Sequence, residues 1–268
     1  MTITRNLTQP LTRPIAHAIT SPPIGGGGAW SPADLFGASE PGIAYDFSDA
    51  TKLYTDSART TLVTTAGDLI GSVTDLSGNG NHATQATGAS KMTWQTTYAS
   101  ADGFDDFLGT GAIDFTTTDA VTIIAGVRKL SDAGEGNVVS FGNSGGLNGV
   151  FALRAPSAAT ANYAIFCRGT IGITQLVTPY ASPNSAVLSG SADISAPSQA
   201  LRVNQSPASW TNGLGTGNFS TQIMYVGRRG TLGPFNGHIY RVIVIGRLLT
   251  SDELTAAETW CNDTTAAY

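Results

Sequence analysis

Short apolar segments separated by turn-forming residues recur along most of this chain, and this rhythm constrains its fold more than any other feature. The segments follow one another about every ten residues, with glycine, proline, asparagine or serine between them. No alternation of strand and helix patterns is present, so a Rossmann-type sheet is not expected. The sequence therefore predicts an all-β sandwich or barrel. The main strand candidates are 112–116, 120–128, 137–142, 149–154, 162–168, 171–177, 185–191, 199–204, 221–227 and 238–245.

Composition agrees with a single large β-sandwich. The 268 residues are 41% hydrophobic, which can supply a core, and 12% charged, which is too few for a charge-driven disordered chain. The net charge is −5, and basic residues form no run longer than a pair such as Arg228-Arg229. No nucleic-acid partner is therefore predicted, because such binding needs clustered Lys and Arg. No signal peptide is expected, because the first 25 residues lack a charged start followed by an apolar core. No membrane-inserted helix is expected, because no apolar run reaches about 18 residues.

The first 29 residues differ in composition from the rest. The stretch "LTQPLTRPIAHAITSPP" (7–23) has four prolines, and residues 25–28 are all glycine. Proline favours an extended chain and consecutive glycines a flexible hinge. We therefore predict an anchoring arm at 1–29 that docks on a partner or a neighbouring copy, followed by a domain at 30–268. The candidate contact residues of the arm are Arg5, Leu11, Arg13 and Ile15.

The end of the chain carries the clearest helix pattern. Thr250 and Glu253 have the spacing of a capping box, and apolar residues then recur on one helical face. We expect that face to pack across an end or open edge of the sandwich, with Trp260 as its main anchor. Cys261 lies in this pattern and Cys167 in a strand pattern, which favours two separate buried thiols and leaves pairing open.

Three motifs carry a resemblance to a known family. "FNGHIYRVIVIGRLLTSDEL" (235–254) resembles the C-terminal signature of concanavalin A-like, laminin-G-like jelly-roll domains. "DLSGNGNHATQ" (75–85) and "GFDDFL" (103–108) are similar to two further segments of the same superfamily. The resemblance implies a jelly-roll β-sandwich with a short C-terminal helix.

The stretch from residue 45 to residue 85 carries a narrower resemblance. "YDFSDATKLYTDSARTTLVTTAGDLIGSVTDLSGNGNHATQ" resembles the entry module of lectin-like virion proteins of tailed bacteriophages and prophages. The resemblance implies a virion component and does not say which part of the virion. Our first hypothesis is a tail-fibre or tail-tip module that binds host surface glycan, is present in several copies, is released by lysis and is fixed to other virion proteins through residues 1–28. The alternatives are a purely structural decoration protein of the capsid or tail and, ranked last, a glycan-degrading enzyme.

No catalytic residue is predicted. The chain has four glutamates, none of them in the E-x-D-x-E spacing of retaining glucanases, whose carboxylates face one cleft. "GNSGG" (142–146) is similar to a serine-protease loop but lacks its acid, and no histidine motif accompanies it. His17, His82 and His238 are isolated from one another, so no zinc site is expected.

Aromatic residues in polar segments are the candidates for sugar binding. An exposed indole or phenol ring can stack on a pyranose, and a nearby amide can bond its hydroxyls. The alternative is that the same rings seal the ends of the sandwich core. The candidate carbohydrate-binding residues are Trp94, Trp210, Tyr180 and Asn212.

No cofactor is required by the sequence, and Ca²⁺ is the one metal that its oxygen-rich loops suggest. Asp75 lies beside two asparagines, and Asp105 and Asp106 lie in a loop that also contains Asp102. Ca²⁺ takes six to eight oxygen ligands, which such loops can provide. Because aspartate is equally common as a turn cap, both interpretations of Asp75, Asp105 and Asp106 stay open.

Overall fold

Two antiparallel sheets contain most of the residues that the computed structural model describes, which are 30–177 and 179–268. The all-β prediction is confirmed. The strands are β1 (Gly42–Asp46), β2 (Leu53–Tyr54), β3 (Ser72–Val73), β4 (Ala83–Thr84), β5 (Thr93–Trp94), β6 (Ala99–Asp102), β7 (Leu108–Asp114), β8 (Ala120–Lys129), β9 (Asn137–Phe141), β10 (Val150–Arg154), β11 (Tyr163–Arg168), β12 (Gly172–Val177), β13 (Asn184–Asp193), β14 (Ser198–Val203), β15 (Ser206–Thr211), β16 (Thr221–Val226) and β17 (Asn236–Ile245).

The two sheets are formed by strands that are far apart along the chain. The first sheet has the order β15-β14-β13-β8-β17-β6-β5, with β1 also pairing with β17. The second sheet has the order β12-β11-β10-β9-β16-β7-β4-β3-β2. Each strand pair is antiparallel, so hairpins and longer returns connect the strands without crossover helices.

The core lies between the sheets and follows the two-residue alternation of the strands. In β8, Val121, Ile123, Ala125 and Val127 belong to one buried cluster with the inner residues of the second sheet. The intervening residues of β8 face the other side of the first sheet. Both sheets therefore bury one face against each other, and the outer face of each sheet is the surface on which a site can be built.

Helix α1 (Ser251–Thr265) packs on the outer face of the first sheet, against β8, β13 and β17. The predicted capping box is present: the Glu253 backbone N–H donates to Thr250 Oγ1, and the Thr250 backbone N–H donates to Glu253. The expectation that α1 packs across an end or edge is wrong, because the centre of the sheet accepts it. Gly126 of β8 makes this possible, since a Cβ there would overlap the Thr265 side chain.

Trp260 is not the buried anchor of α1. It is partly exposed, and the Arg241 guanidinium lies 4.5 Å from its ring. The residues of α1 that are buried against the sheet are Ala257, Glu258, Cys261 and Thr265. Small side chains let the helix approach the sheet closely, and a tryptophan at its centre would hold it away.

Three smaller features complete the helices and turns. Pro32–Phe36, Ala50–Lys52 and Gly88–Ser90 are short 3₁₀ helices. Gly78 and Gly80 have positive φ angles, as the Gly/Asn-rich turn predicts. No helix among residues 30–177 and 179–268 is long and apolar enough to cross a membrane.

One strand is absent from the sequence candidates, the two cysteines agree with expectation, and the predicted arm lies outside the described residues. β15 is absent from the strand candidates because Pro207 interrupts the pattern, yet an edge strand tolerates proline. Cys167 and Cys261 are both buried and unpaired, as favoured. The predicted arm, with its candidate contacts, lies outside the described residues; those contacts are Arg5, Leu11, Arg13 and Ile15.

Candidate functional site

The tryptophan predicted to stack on sugars from β5 is part of the core. Trp94 is 6% exposed, and its indole N–H donates to the carbonyl of Phe47 at 3.1 Å. Its polar sequence neighbours point away from the core while the ring points into it, as alternation in a strand requires. The expectation that Trp94 is an exposed platform is therefore wrong.

The other candidate carbohydrate-binding residues do not form one site. Trp210 in β15 and Tyr180 before β13 are partly buried and pack against the core, which is the alternative that the sequence left open. Tyr180 lies 5.1 Å from the Tyr163 ring, away from β15. Asn212 donates its side-chain amide to Gln199 at 3.2 Å. The structure places Trp210 and Asn212 near the same sheet edge and Tyr180 elsewhere.

Asp75 is a turn cap and does not join the other candidate metal ligands. It is buried, and its carboxylate accepts hydrogen bonds from the backbone N–H groups of Ala44, Ser77 and Asn81 and from the Ser77 hydroxyl. These donors fix the Gly/Asn-rich turn against β1. Of the two interpretations that the sequence left open for Asp75, the structure shows the turn cap, because both carboxylate oxygens accept these hydrogen bonds.

Asp105 and Asp106 meet Asp102 in the loop between β6 and β7. One carboxylate oxygen from each lies within 4.8 Å of the others, which is a spacing that a divalent cation can bridge. Phe104 N–H donates to Asp102, the Ser90 hydroxyl to Asp105, and Asp102 N–H to Asp106. These three aspartates are the residues of the described chain that could hold Ca²⁺.

Crowding of these carboxylates predicts an unusual pH dependence of stability. Burial raises the pKa of Asp106 to about 6, and the charges of Asp102 and Asp105 add to the rise. The folded protein therefore binds a proton that the unfolded chain has lost, and stability decreases as pH rises from about 4 through about 6. We expect Asp106→Asn to remove this slope and to raise the free energy of unfolding at pH 8 by roughly 1–2 kcal/mol, less than the full shift because solvent borders the loop.

Urea denaturation of wild type and Asp106→Asn at pH 3.5 and pH 8, which bracket the roughly pH 4–6 window of the titration, measures this effect. Asp193→Asn is a control at a turn remote from the three aspartates. An equal stability difference between wild type and Asp106→Asn at both pH values would contradict the assignment.

An open groove crosses the outer face of the second sheet. It has a volume of about 470 Å³. Thr84, Gly109 and Tyr225 lie opposite one another on β4, β7 and β16, and Ile223 is the next outward residue of β16. Met224, between Ile223 and Tyr225, and Val226, directly after Tyr225, point into the core, so the strand alternation fixes the outward direction of the groove floor.

Polar loop residues border the groove, and an aromatic–cation pair closes one end. Asn143 and Thr231 come from the loops after β9 and β16. At the closed end, the Arg228 guanidinium lies 3.7 Å from the Phe107 ring, and the Phe107 and Tyr225 rings are 6.1 Å apart. The groove thus combines two aromatic rings, hydroxyls, an amide and one cation, a set that suits a polar ligand with apolar ring faces.

Gly109 creates the depth of the groove. A Cβ at this position would lie 3.6 Å from Phe107 and 3.8 Å from Ile223, so a side chain there fits the backbone but occupies the groove. The first sheet lacks an equally open central face because α1 covers it. Sequence reasoning missed Phe107, Tyr225 and Arg228. Alternation in the 221–227 strand candidate could have indicated that Tyr225 points outward.

The four glutamates are each engaged by arginine. Arg247 bonds to Glu40 and Glu253, and Arg202 forms a bidentate pair with the buried Glu258. Glu135 forms ion pairs with Arg229 at 3.1 Å and with Arg154 at 3.5 Å. No two of the glutamates face each other across the groove among the described residues.

No protein-family model matches the chain, and no curated protein sequence matches it. Several solved structures, in contrast, are similar to this chain in fold. The Trypanosoma rangeli sialidase aligns with a TM-score of 0.54 at 11% identity, over 84% of this chain and 33% of the sialidase chain. The binding domain of botulinum neurotoxin serotype G aligns with a TM-score of 0.53 at 10% identity, over 81% of this chain and 50% of the other.

The sialidase CBM40 of Ruminococcus gnavus aligns over 56% of this chain and 96% of the module, with a TM-score of 0.43 and 19% identity. The two described sheets and the two alignments with TM-scores above 0.5 establish the architecture. The chain is a jelly-roll β-sandwich. The predicted jelly roll is confirmed, and identities this low extend the likeness to the fold alone.

Proposed function

We propose that this jelly-roll protein is a non-enzymatic, glycan-binding module of a bacteriophage virion and that the second-sheet groove is its sugar site. The observation that carries the sugar site is the juxtaposition of Thr84, Gly109 and Tyr225 across three strands, with Asn143 at the border. A pyranose presents an apolar face and a ring of hydroxyls. The Tyr225 ring can stack on the apolar face, and the Thr84 hydroxyl and the Asn143 amide can bond to the sugar hydroxyls.

The size and openness of the groove suit a sugar within a longer chain. A volume of about 470 Å³ falls in the range of about 300–1,000 Å³ that is usual for ligand sites. Because the groove is open along the sheet, neighbouring sugars can extend beyond it into solvent. Several copies on one particle would strengthen weak single-site binding through multivalency.

We propose that the protein does not hydrolyse the glycan, because its carboxylates are bound to other groups or lie outside the groove. Glycosidases need two carboxyl groups that face one scissile bond, about 5–10 Å apart. In this protein the glutamates bind arginines that stabilise the fold, and Asp105 and Asp106 lie in the loop that supports the end of the groove. We therefore expect binding without cleavage.

The virion location rests on the sequence resemblance and on the composition of residues 1–28. We propose that this segment fixes the domain to a tail fibre or tail tip. Deleting residues 1–28 should leave the melting temperature of the domain unchanged while the protein is lost from purified particles. Normal incorporation of the truncated protein would contradict the anchoring role.

A glycan array probed with the full-length protein tests the sugar site, and a reducing-end assay on the bound glycans tests for cleavage. Binding that is lost in Tyr225→Ala, with no new reducing ends, is the expected result. Incorporation into particles without binding to any glycan would favour the decoration protein. Release of new reducing ends would favour the enzyme.

A further inference from the structure

Arg228 supplies the one charged side chain that lines the groove within the described residues. The neighbouring lining residues are neutral, with hydroxyl, amide, aromatic or aliphatic side chains. We propose that the groove selects glycans that contain a carboxylate-bearing sugar and that Arg228 binds the carboxylate. This inference rests on the proposed function of the groove and adds the class of sugar.

The guanidinium of Arg228 is held in a fixed orientation by two contacts. Its Nη1 donates to the backbone carbonyl of Asp105 at 3.1 Å, and its plane lies over the Phe107 ring at 3.7 Å. A guanidinium that is already oriented loses little conformational entropy when it binds a ligand. Burial lowers the pKa of Arg228, and the charge of Asp105 opposes this effect, so the side chain stays cationic at neutral pH.

The edge of the guanidinium formed by Nε and Nη2 has no protein acceptor among residues 30–177 and 179–268. Nε is buried, and Nη2 is the donor that a ligand in the groove can reach. A hydrogen bond between a guanidinium N–H and a carboxylate is charge-assisted and stronger than one to a neutral hydroxyl. Nη2 therefore favours a sugar that carries a carboxylate.

Five other partly or fully buried arginines have carboxylate partners, whereas Arg168 donates to Asn148 and Gly145. Ion pairs are formed in the described chain by Arg154, Arg202, Arg229, Arg241 and Arg247. Arg228 instead contacts the backbone oxygen of Asp105, whose carboxylate accepts from the Ser90 hydroxyl at 2.6 Å. A partly buried cation that makes no direct ion pair with the described residues, at the end of a sugar-sized groove, is complementary to an anionic ligand.

The matched probes are a uronic-acid-containing oligosaccharide and the same oligosaccharide after its carboxyl groups are reduced to primary alcohols. We expect the full-length protein to bind the acidic probe roughly tenfold more tightly in calorimetric titration, with the preference decreasing as salt is added. Arg228→Gln should abolish the preference and retain weak binding of both probes. Arg228→Lys should retain part of it, because the charge remains but the planar guanidinium that Asp105 and Phe107 orient is lost.

Arg128→Gln is the control, since it removes an equal charge from an exposed position of the first sheet. Equal affinity of wild type for the two probes, with binding lost in Tyr225→Ala, would overturn the proposed specificity and leave the glycan site standing. A preference that persists in a folded Arg228→Gln protein would also overturn it. Failure of both probes and of every glycan on the array would overturn the proposed function itself.

Discussion

Replacing Gly109 with leucine should reduce glycan affinity by on the order of 100-fold while the protein stays folded. Gly109 has no positive φ, and a Cβ at this position makes ordinary contacts with Phe107, Ile223 and Tyr225. The backbone therefore accepts a side chain, and the remaining atoms of leucine must project into the groove. A sugar that stacks on Tyr225 would lose the space it occupies.

Two variants separate groove filling from a general effect on the strand. Gly109→Ala adds a single methyl group and should weaken binding only slightly, because most of the groove stays open. Gly111→Leu places the same side chain two residues along β7, where no atom lies within 4 Å and where the groove has no lining residue. Isothermal titration gives the affinities, and the melting temperature reports the fold. Undiminished affinity of a folded Gly109→Leu protein would contradict the placement of the site.

Truncating Arg202 to alanine should lower the free energy of unfolding by about 3–5 kcal/mol. Arg202 of β14 forms a bidentate pair with Glu258 of α1, at 2.7 and 3.0 Å. Glu258 is fully buried beneath the helix. Removing the arginine leaves a carboxylate in the protein interior without a counter-charge, and this desolvation cost destabilises the docking of α1 on the first sheet.

Chemical denaturation of a matched set of variants measures the effect. Arg202→Met combined with Glu258→Leu should recover most of the loss, because well-packed apolar residues can replace a buried ion pair. Arg128→Ala, at an exposed position, should change stability by less than about 0.5 kcal/mol. A loss in Arg202→Ala no larger than in this control would contradict the buried role of Glu258.

Much of the fold could be predicted from local patterns. Alternation in segments such as 120–128 and 238–245 indicates strands, and Thr250 with Glu253 marks the start of the helix. These signals depend on residues that are close along the chain. The position of α1 could not be predicted in this way, because it depends on how Gly126 approaches Thr265 across the sheet.

The candidate site was less predictable for the same reason. The polar context of Trp94 indicated exposure, but the direction of a strand side chain depends on register, and the structure turns this ring inward. The groove joins Thr84, Gly109 and Tyr225 from three strands that are distant along the chain. Only the pairing of β4, β7 and β16 places them side by side.

The most direct test of the account is to map the bound glycan on the protein by nuclear magnetic resonance. Oligosaccharides from the surface of the host cell would be titrated into isotopically labelled full-length protein. We predict that the largest amide shifts fall at Gly109, Tyr225 and Thr231 on the second sheet. Shifts confined to the β15 edge around Trp210, or no shifts with any host glycan, would contradict the assignment of the groove as a sugar site.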